Sequence, residues 1–237
     1  MTNKTILALG VSVIAVATVA HVIYWETRSA EKKSPRSRKK GADMVEKQVT
    51  RCQWVTHYRP SETMVAYHDV EWGHPIRQDD RLLFELLTLE IFQAGLSWEI
   101  ALNKRAGLKQ VFKNFDLTQV SQMTAQDEAI LRDDATIIRN RLKITATVNN
   151  AHAIKRVQAA FGSFSNYMWQ FTNGQVIDHH VTDVALIPAQ NELSQSVAKD
   201  MKQRGFKFAG PVTIYSFLQG MGVINDHEES CTFKYHQ

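Results

Sequence analysis

From Arg51 onward, apolar residues recur three and four positions apart, with little of the strict alternation that marks a half-buried strand. Leu82, Leu83, Leu86, Leu87 and Ile91 form one such face behind Asp79-Asp80, which supplies an N-cap candidate. Thr124 and Asp127 stand at capping-box spacing and open a short helix through Leu131. Further helices are predicted over Ile144–Val157 and Glu192–Gln203, the second stopped by Gly205, and a loop in GSFSNYMWQF leads into a short aromatic helix. Pro211 and Gly222 bracket another around TIYSFLQGM. No repeat is visible, so the pattern predicts one all-α domain over residues 51–237.

A different pattern precedes it. Ile6 to Trp25 is a run of twenty residues without Asp, Glu, Lys or Arg. At about 1.5 Å per residue it matches the roughly 30 Å hydrocarbon core of a bilayer. Residues 1–27 are therefore expected to form a single N-terminal transmembrane helix, and 28–50 a basic linker. A cleaved signal peptide competes, since Thr18-Val19-Ala20 resembles a cleavage site, but dense positive charge after it opposes export. Translation from Met44 would remove the segment altogether and leave a cytoplasmic protein.

Charge changes the picture more than composition does. Of 237 residues, 44% are hydrophobic and 22% charged, which excludes a largely disordered or collagen-like chain. The net charge of +4 suggests an acidic partner, yet Met1–Asp43 holds eight Lys/Arg against three acids. That segment carries +5, which leaves −1 for the rest. Lysines and arginines directly after a span stay on the cytoplasmic side, so the domain is expected at the cytoplasmic face of a membrane.

Two cysteines are too few for a disulfide scaffold. Cys52, His68, His227 and Cys231 are the candidates for a tetrahedral zinc site, with His227 and Cys231 an i, i+4 pair that a helix would place on one face. Spacing alone leaves the alternative open that each cysteine is a buried apolar residue and each histidine an ordinary surface one.

The most unusual stretch is LEIFQAGLSWEIALNKR, Leu89–Arg105. Glu90 lies near the end of an otherwise apolar helix, where an unpaired carboxylate is costly to bury. Upstream, AYHDVEWG gathers Tyr67, His68 and Trp72, and Trp54 follows Cys52. Taken together, RCQWV, VAYHDVEWG, LEIFQAGLSW, IIRNRLKI, RGFKFAGPVTIYSF and NDHEESC resemble the DNA-3-methyladenine glycosylase I family, within the helix-hairpin-helix glycosylase superfamily. The resemblance runs from Arg51 to Cys231.

The resemblance implies one structural zinc on Cys52, His68, His227 and Cys231. It also implies a monofunctional enzyme that flips 3-methyladenine out of alkylated double-stranded DNA and releases it by hydrolysis, acting as a monomer. Glu90 then reads the base, Tyr67 adds a hydrogen bond and Trp98 a stacking face. Trp54, Trp72 and Gln93 line the pocket, and Leu96 is the wedge that fills the vacated stack. Arg139, Arg141, Lys143 and Lys207 are expected at phosphates. Departures from the family's pattern are Ile91-Phe92 after the glutamate, expected to affect base discrimination, and Thr136 where a glycine is common in the hairpin. The competing reading is a zinc-stapled, membrane-tethered DNA-binding module without glycosylase activity.

Overall fold

Helices carry most of the residues described by the computed structural model, 48–56 and 59–234. Two short ones, α1 (Gln53–Thr56) and α2 (Glu62–Val70), precede α3 (Asp80–Gln93). Asp79 caps α3, accepting from the Leu82 amide at 2.8 Å. Every residue of α3 from Leu83 to Phe92 is buried, so the helix is enclosed on all sides and forms the axis of the core. Ile91 and Phe92 face that core, with the Phe92 and Phe112 rings 6.3 Å apart. Their departure from the family pattern therefore lies in the packed core beside Glu90.

Next come α4 (Trp98–Asn103), α5 (Arg105–Val111), α6 (Leu117–Ser121) and α7 (Ala125–Leu131). The reciprocal capping box of Thr124 and Asp127 opens α7 as read from the sequence. The turn after α7 leads into α8 (Arg141–Phe161). This helix starts before the apolar repeat does, because the Asn140 side chain accepts from the Leu142 and Lys143 amides at 3.1 and 3.2 Å. Thr136 needs no left-handed backbone. Asp134 accepts from its amide at 2.7 Å and its hydroxyl at 2.5 Å, so the hairpin closes without glycine.

The chain finishes through α9 (Phe164–Trp169), α10 (Glu192–Gln203) and α11 (Pro211–Gly220). α11 packs on α10 and on α3, while α8 supports α3, α6 and α9. Two residues each of β1 (Ile177–Asp178) and β2 (Ile224–Asn225) pair in parallel, too short a match to appear as alternation in the sequence. His227–Cys231 is not helical as the i, i+4 spacing suggested. Glu228 bridges to Val181, and the Cys231 amide closes a tight turn on the Glu228 carbonyl at 2.8 Å.

The run Ile6–Trp25 and most of the basic linker lie outside the described residues. Among the described residues, no helix is long and apolar enough to cross a membrane. The fully enclosed helix, α3, has 14 residues and contains Asp80, Arg81, Glu85 and Glu90. At about 1.5 Å per residue it falls well short of a roughly 30 Å hydrocarbon core. The expected transmembrane anchor, membrane partner and membrane-face location are corrected accordingly, and the fold is stated as the helical domain.

Candidate active site and metal centre

The end of α3, α2, the start of α4 and the middle of α11 enclose a cavity of about 430 Å³. Trp54, Tyr67, Trp72, Glu90, Gln93 and Trp98, all anticipated from the sequence, line it together. Glu90 is only 4% exposed, and burial pushes its carboxyl up to about 8. Tyr67 is raised well above the ordinary phenol value by burial and then by the charge of Glu90. Its ring packs against Trp98 with centroids 5.0 Å apart.

Three buried donors around this cavity, the Tyr67 hydroxyl and the indole N–H groups of Trp54 and Trp98, have no hydrogen-bond partner among the described residues. Buried polar groups are ordinarily paired, so three orphans at one cavity mark a place built for a polar guest. The chamber offers aromatic walls, neutral donors and one poorly solvated carboxyl. That combination suits a flat, electron-poor heterocycle carrying an amine.

Sequence reasoning missed four lining residues: Val184, Ile187, Ser216 and Gln219. Ser216 and Gln219 were detectable as polar breaks three residues apart in the apolar run TIYSFLQGM. Val184 and Ile187 belong to an irregular connection, which has no periodicity to read. Another unforeseen feature lies just behind the cavity. Arg105 joins buried Glu85 at 2.6 Å to Glu71 at 2.8 Å, tying α5 to α3 and to the end of α2.

Leu96 sits at the rim rather than among the lining residues, 39% exposed in the turn between α3 and α4. Arg139, Arg141 and Lys207 are exposed and hold no ion pair among the described residues. Lys143 is different. It is buried, with its ammonium donating to the carbonyls of Phe92 and Ala94 at 3.0 and 2.7 Å. The expectation that it contacts phosphate is corrected, since those carbonyls at the end of α3 hold the amine inward.

On the far side of Trp72, Cys52, His68, His227 and Cys231 converge, all four buried, with one ligand atom from each within 4.8 Å of the others. Cys52 Sγ lies 3.4 Å from His227 Nδ1, and Cys231 Sγ 3.6 Å from His68 Nε2. Bonds of about 2.3 Å to sulphur and about 2.0 Å to nitrogen, set tetrahedrally, require ligand separations of roughly 3.3–3.8 Å. The other ring nitrogens are engaged outward: His227 Nε2 with the Trp72 carbonyl at 2.9 Å, His68 Nδ1 with Asp69 at 2.7 Å. Histidine ligands are ordinarily oriented by such contacts. Arg51 clamps Asp69 in turn, at 2.7 Å.

Gly73 lets these groups meet. It has φ of +76°, and a Cβ there would stand 2.8 Å from the His227 ring. Burial alone would raise Asp69, but hydrogen bonds from Arg51 and His68 outweigh it and hold the carboxyl below its ordinary value.

Comparison with known proteins fits this architecture. The family model for methyladenine glycosylase matches residues 54–235. The DNA-3-methyladenine glycosylase of Haemophilus influenzae is 38% identical over 186 residues, 78% of this chain and 98% of that protein. DNA-3-methyladenine glycosylase 1 of Escherichia coli is 40% identical over 183 residues, 77% and 96% respectively. A solved structure of 3-methyladenine DNA glycosylase I from Staphylococcus aureus superposes with a TM-score of 0.76 at 34% identity, covering 79% of this chain and 100% of that one. On family match, identity and fold, this chain belongs to the methyladenine glycosylase family.

Proposed function

We infer that the protein is a DNA-3-methyladenine glycosylase, a hydrolase of base-excision repair that releases 3-methyladenine from alkylated DNA. The observation that carries the reading is the buried Glu90 carboxyl among aromatic walls and orphan donors. Methylation at N3 gives adenine a positive charge and weakens its bond to deoxyribose, so departure needs little acid assistance. A cation entering the cavity restores to Glu90 the partner that burial removed, which favours the carboxylate. Neutral adenine brings no such charge and leaves the carboxyl uncompensated. Aromatic faces add a cation–π preference of the same sign.

In this reading Glu90 accepts from the exocyclic amine, Tyr67 donates to a ring nitrogen and Trp98 supplies a stacking face. Trp54 and Trp72 close the pocket, and Leu96 fills the space that the flipped nucleotide leaves. Water then adds to the sugar carbon as the base departs, taking the place of the glycosidic nitrogen. Among the described residues no lysine lines the cavity, which favours simple hydrolysis over a Schiff-base route that would cut the strand. The exposure of Arg139, Arg141 and Lys207, without an ion pair among the described residues, supports assigning them to phosphates.

The four-residue cluster fits a structural zinc in donor set, ligand spacing and outward histidine contacts. Held by two thiolates and two imidazoles, the ion would have no open position for water and would serve the fold. The test of function is release of free 3-methyladenine from methylated DNA, followed chromatographically, by the wild-type chain and by Glu90→Gln. Absence of release by the folded, zinc-loaded wild type would overturn the reading. Equal release by the variant would overturn the role of Glu90.

A further inference from the structure

Lys143 is a buried cation that the chemistry above does not use. It occupies the first turn of α8, where the Asn140 cap of the hairpin accepts from its amide at 3.2 Å. Its side chain crosses to the C-terminal end of α3 and donates to Phe92 and Ala94, 51 and 49 residues away in sequence. Among the described residues no carboxylate pairs with it, and burial lowers its pKa. Its charge is set instead against carbonyls at a helix C-terminus, which carry partial negative charge.

Those carbonyls begin the turn that carries Leu96. Gly95 takes φ of +83°, the Leu96 amide donates to the Gln93 carbonyl at 2.6 Å, and the Gln93 side chain donates back to the Leu96 carbonyl at 3.2 Å. Gln93 itself faces the cavity, and Glu90 lies one turn earlier on the same helix. Lys143 thus links the hairpin, the helix that carries Glu90, and the exposed leucine.

We propose that Lys143 is a positioning residue, which fixes the Leu96 turn to the hairpin so that gripping the DNA backbone and filling the vacated stack occur as one rigid movement. The inference rests on the glycosylase reading. It assigns Lys143 a role in handling duplex DNA and none in binding the free base. Loss of the ammonium leaves two carbonyls without their donor and lets the turn drift. A shift of about 1 Å is enough to cost on the order of 100-fold in a positioned step.

The experiment compares wild type, Lys143→Met and Lys143→Arg in three assays. These are binding of free 3-methyladenine by tryptophan quenching, single-turnover excision from methylated duplex, and fluorescence of 2-aminopurine placed beside an abasic-site analogue. Lys143→Met is expected to bind the free base within about twofold of wild type, consistent with an intact pocket. Its excision at saturating DNA is expected to fall by about tenfold or more and its 2-aminopurine signal to collapse, with Lys143→Arg recovering both in part. In a Leu96→Ala background, Lys143→Met should cost little more, because the two act as a unit.

Equal loss of free-base binding and excision, or additive effects of the two substitutions, would overturn the proposal. If Lys143→Met does not fold, Gly95→Ala perturbs the same turn from outside, since a Cβ there meets nothing within 4 Å and strains only the backbone. It must then show the same split between free base and duplex, and failure to do so also overturns the proposal. A wild type inactive on methylated DNA would sink the glycosylase reading itself, a result distinct from any of these.

Discussion

His227 Nε2 lies 2.9 Å from the carbonyl oxygen of Trp72, and the two rings are 4.5 Å apart. The same Trp72 lines the base cavity, so the Cys–His cluster and the binding chamber share a wall. Metal removal is therefore expected to affect recognition as well as stability. Wild-type protein should hold close to one equivalent of zinc, and stripping it should lower the melting temperature by roughly 10 °C, a loss of a few kcal/mol for a domain of this size. Affinity for free 3-methyladenine should fall with it. Metal analysis, melting curves and tryptophan quenching check this; metal-free protein with unchanged melting would refute the structural role.

Glu90 carries a trade between function and stability. Burial holds its carboxyl at about 8 in the folded chain against an ordinary value of 4.5. The folded state therefore binds more protons than the unfolded state between these values, and stability contributed by the neutral form is lost as pH rises through that window. Glu90→Gln, a mimic of the neutral acid, should match wild type in urea unfolding near pH 4.5. It should exceed wild type by a few kcal/mol near pH 9. The same variant should lose on the order of 100-fold in excision, the scale of removing one preorganised polar group. A variant less stable than wild type at pH 9 would contradict the burial argument.

Leu96 should matter only where there is a stack to fill. Leu96→Ala is expected to slow excision from duplex DNA by about tenfold while leaving single-stranded substrate nearly unaffected, because only the duplex requires flipping against a neighbouring strand. Comparing rates on the two substrates checks it, and equal slowing on both would place Leu96 in the pocket rather than in the stack.

Arg139, Arg141 and Lys207 should each contribute sequence-independent affinity. Replacing any one by Ala is expected to reduce the slope of log K against log salt by about 1 and to weaken binding uniformly across sequences. Titrations over a series of salt concentrations measure this. An unchanged slope for all three would remove them from the phosphate contacts.

Much of this molecule was legible because local chemistry and tertiary packing agree. The capping box at Thr124 and Asp127, the stop at Gly205 and the ten-residue buried run of α3 follow from their residues. The six cavity residues are legible through motif resemblance rather than periodicity. What failed had physical causes. Lys143 looks like any surface lysine in a helix, and only the approach of α3 to α8 turns it inward. His227 and Cys231 share helical spacing but sit in a turn, because the pairing of Glu228 with Val181 fixes the backbone first. Hydrophobicity over Ile6–Trp25 points to a membrane span, while among the described residues no helix is long and apolar enough to cross one.

The staple of Cys52 to His227 joins positions 175 residues apart. Such contacts form late in folding, because a long loop must close before they return any energy. Trp72 lines the base chamber and its carbonyl lies 2.9 Å from His227 Nε2, so that wall is finished only when the two distant segments meet. The helices around α3 meet over shorter separations, so the chamber is expected to take shape after the core that carries Glu90.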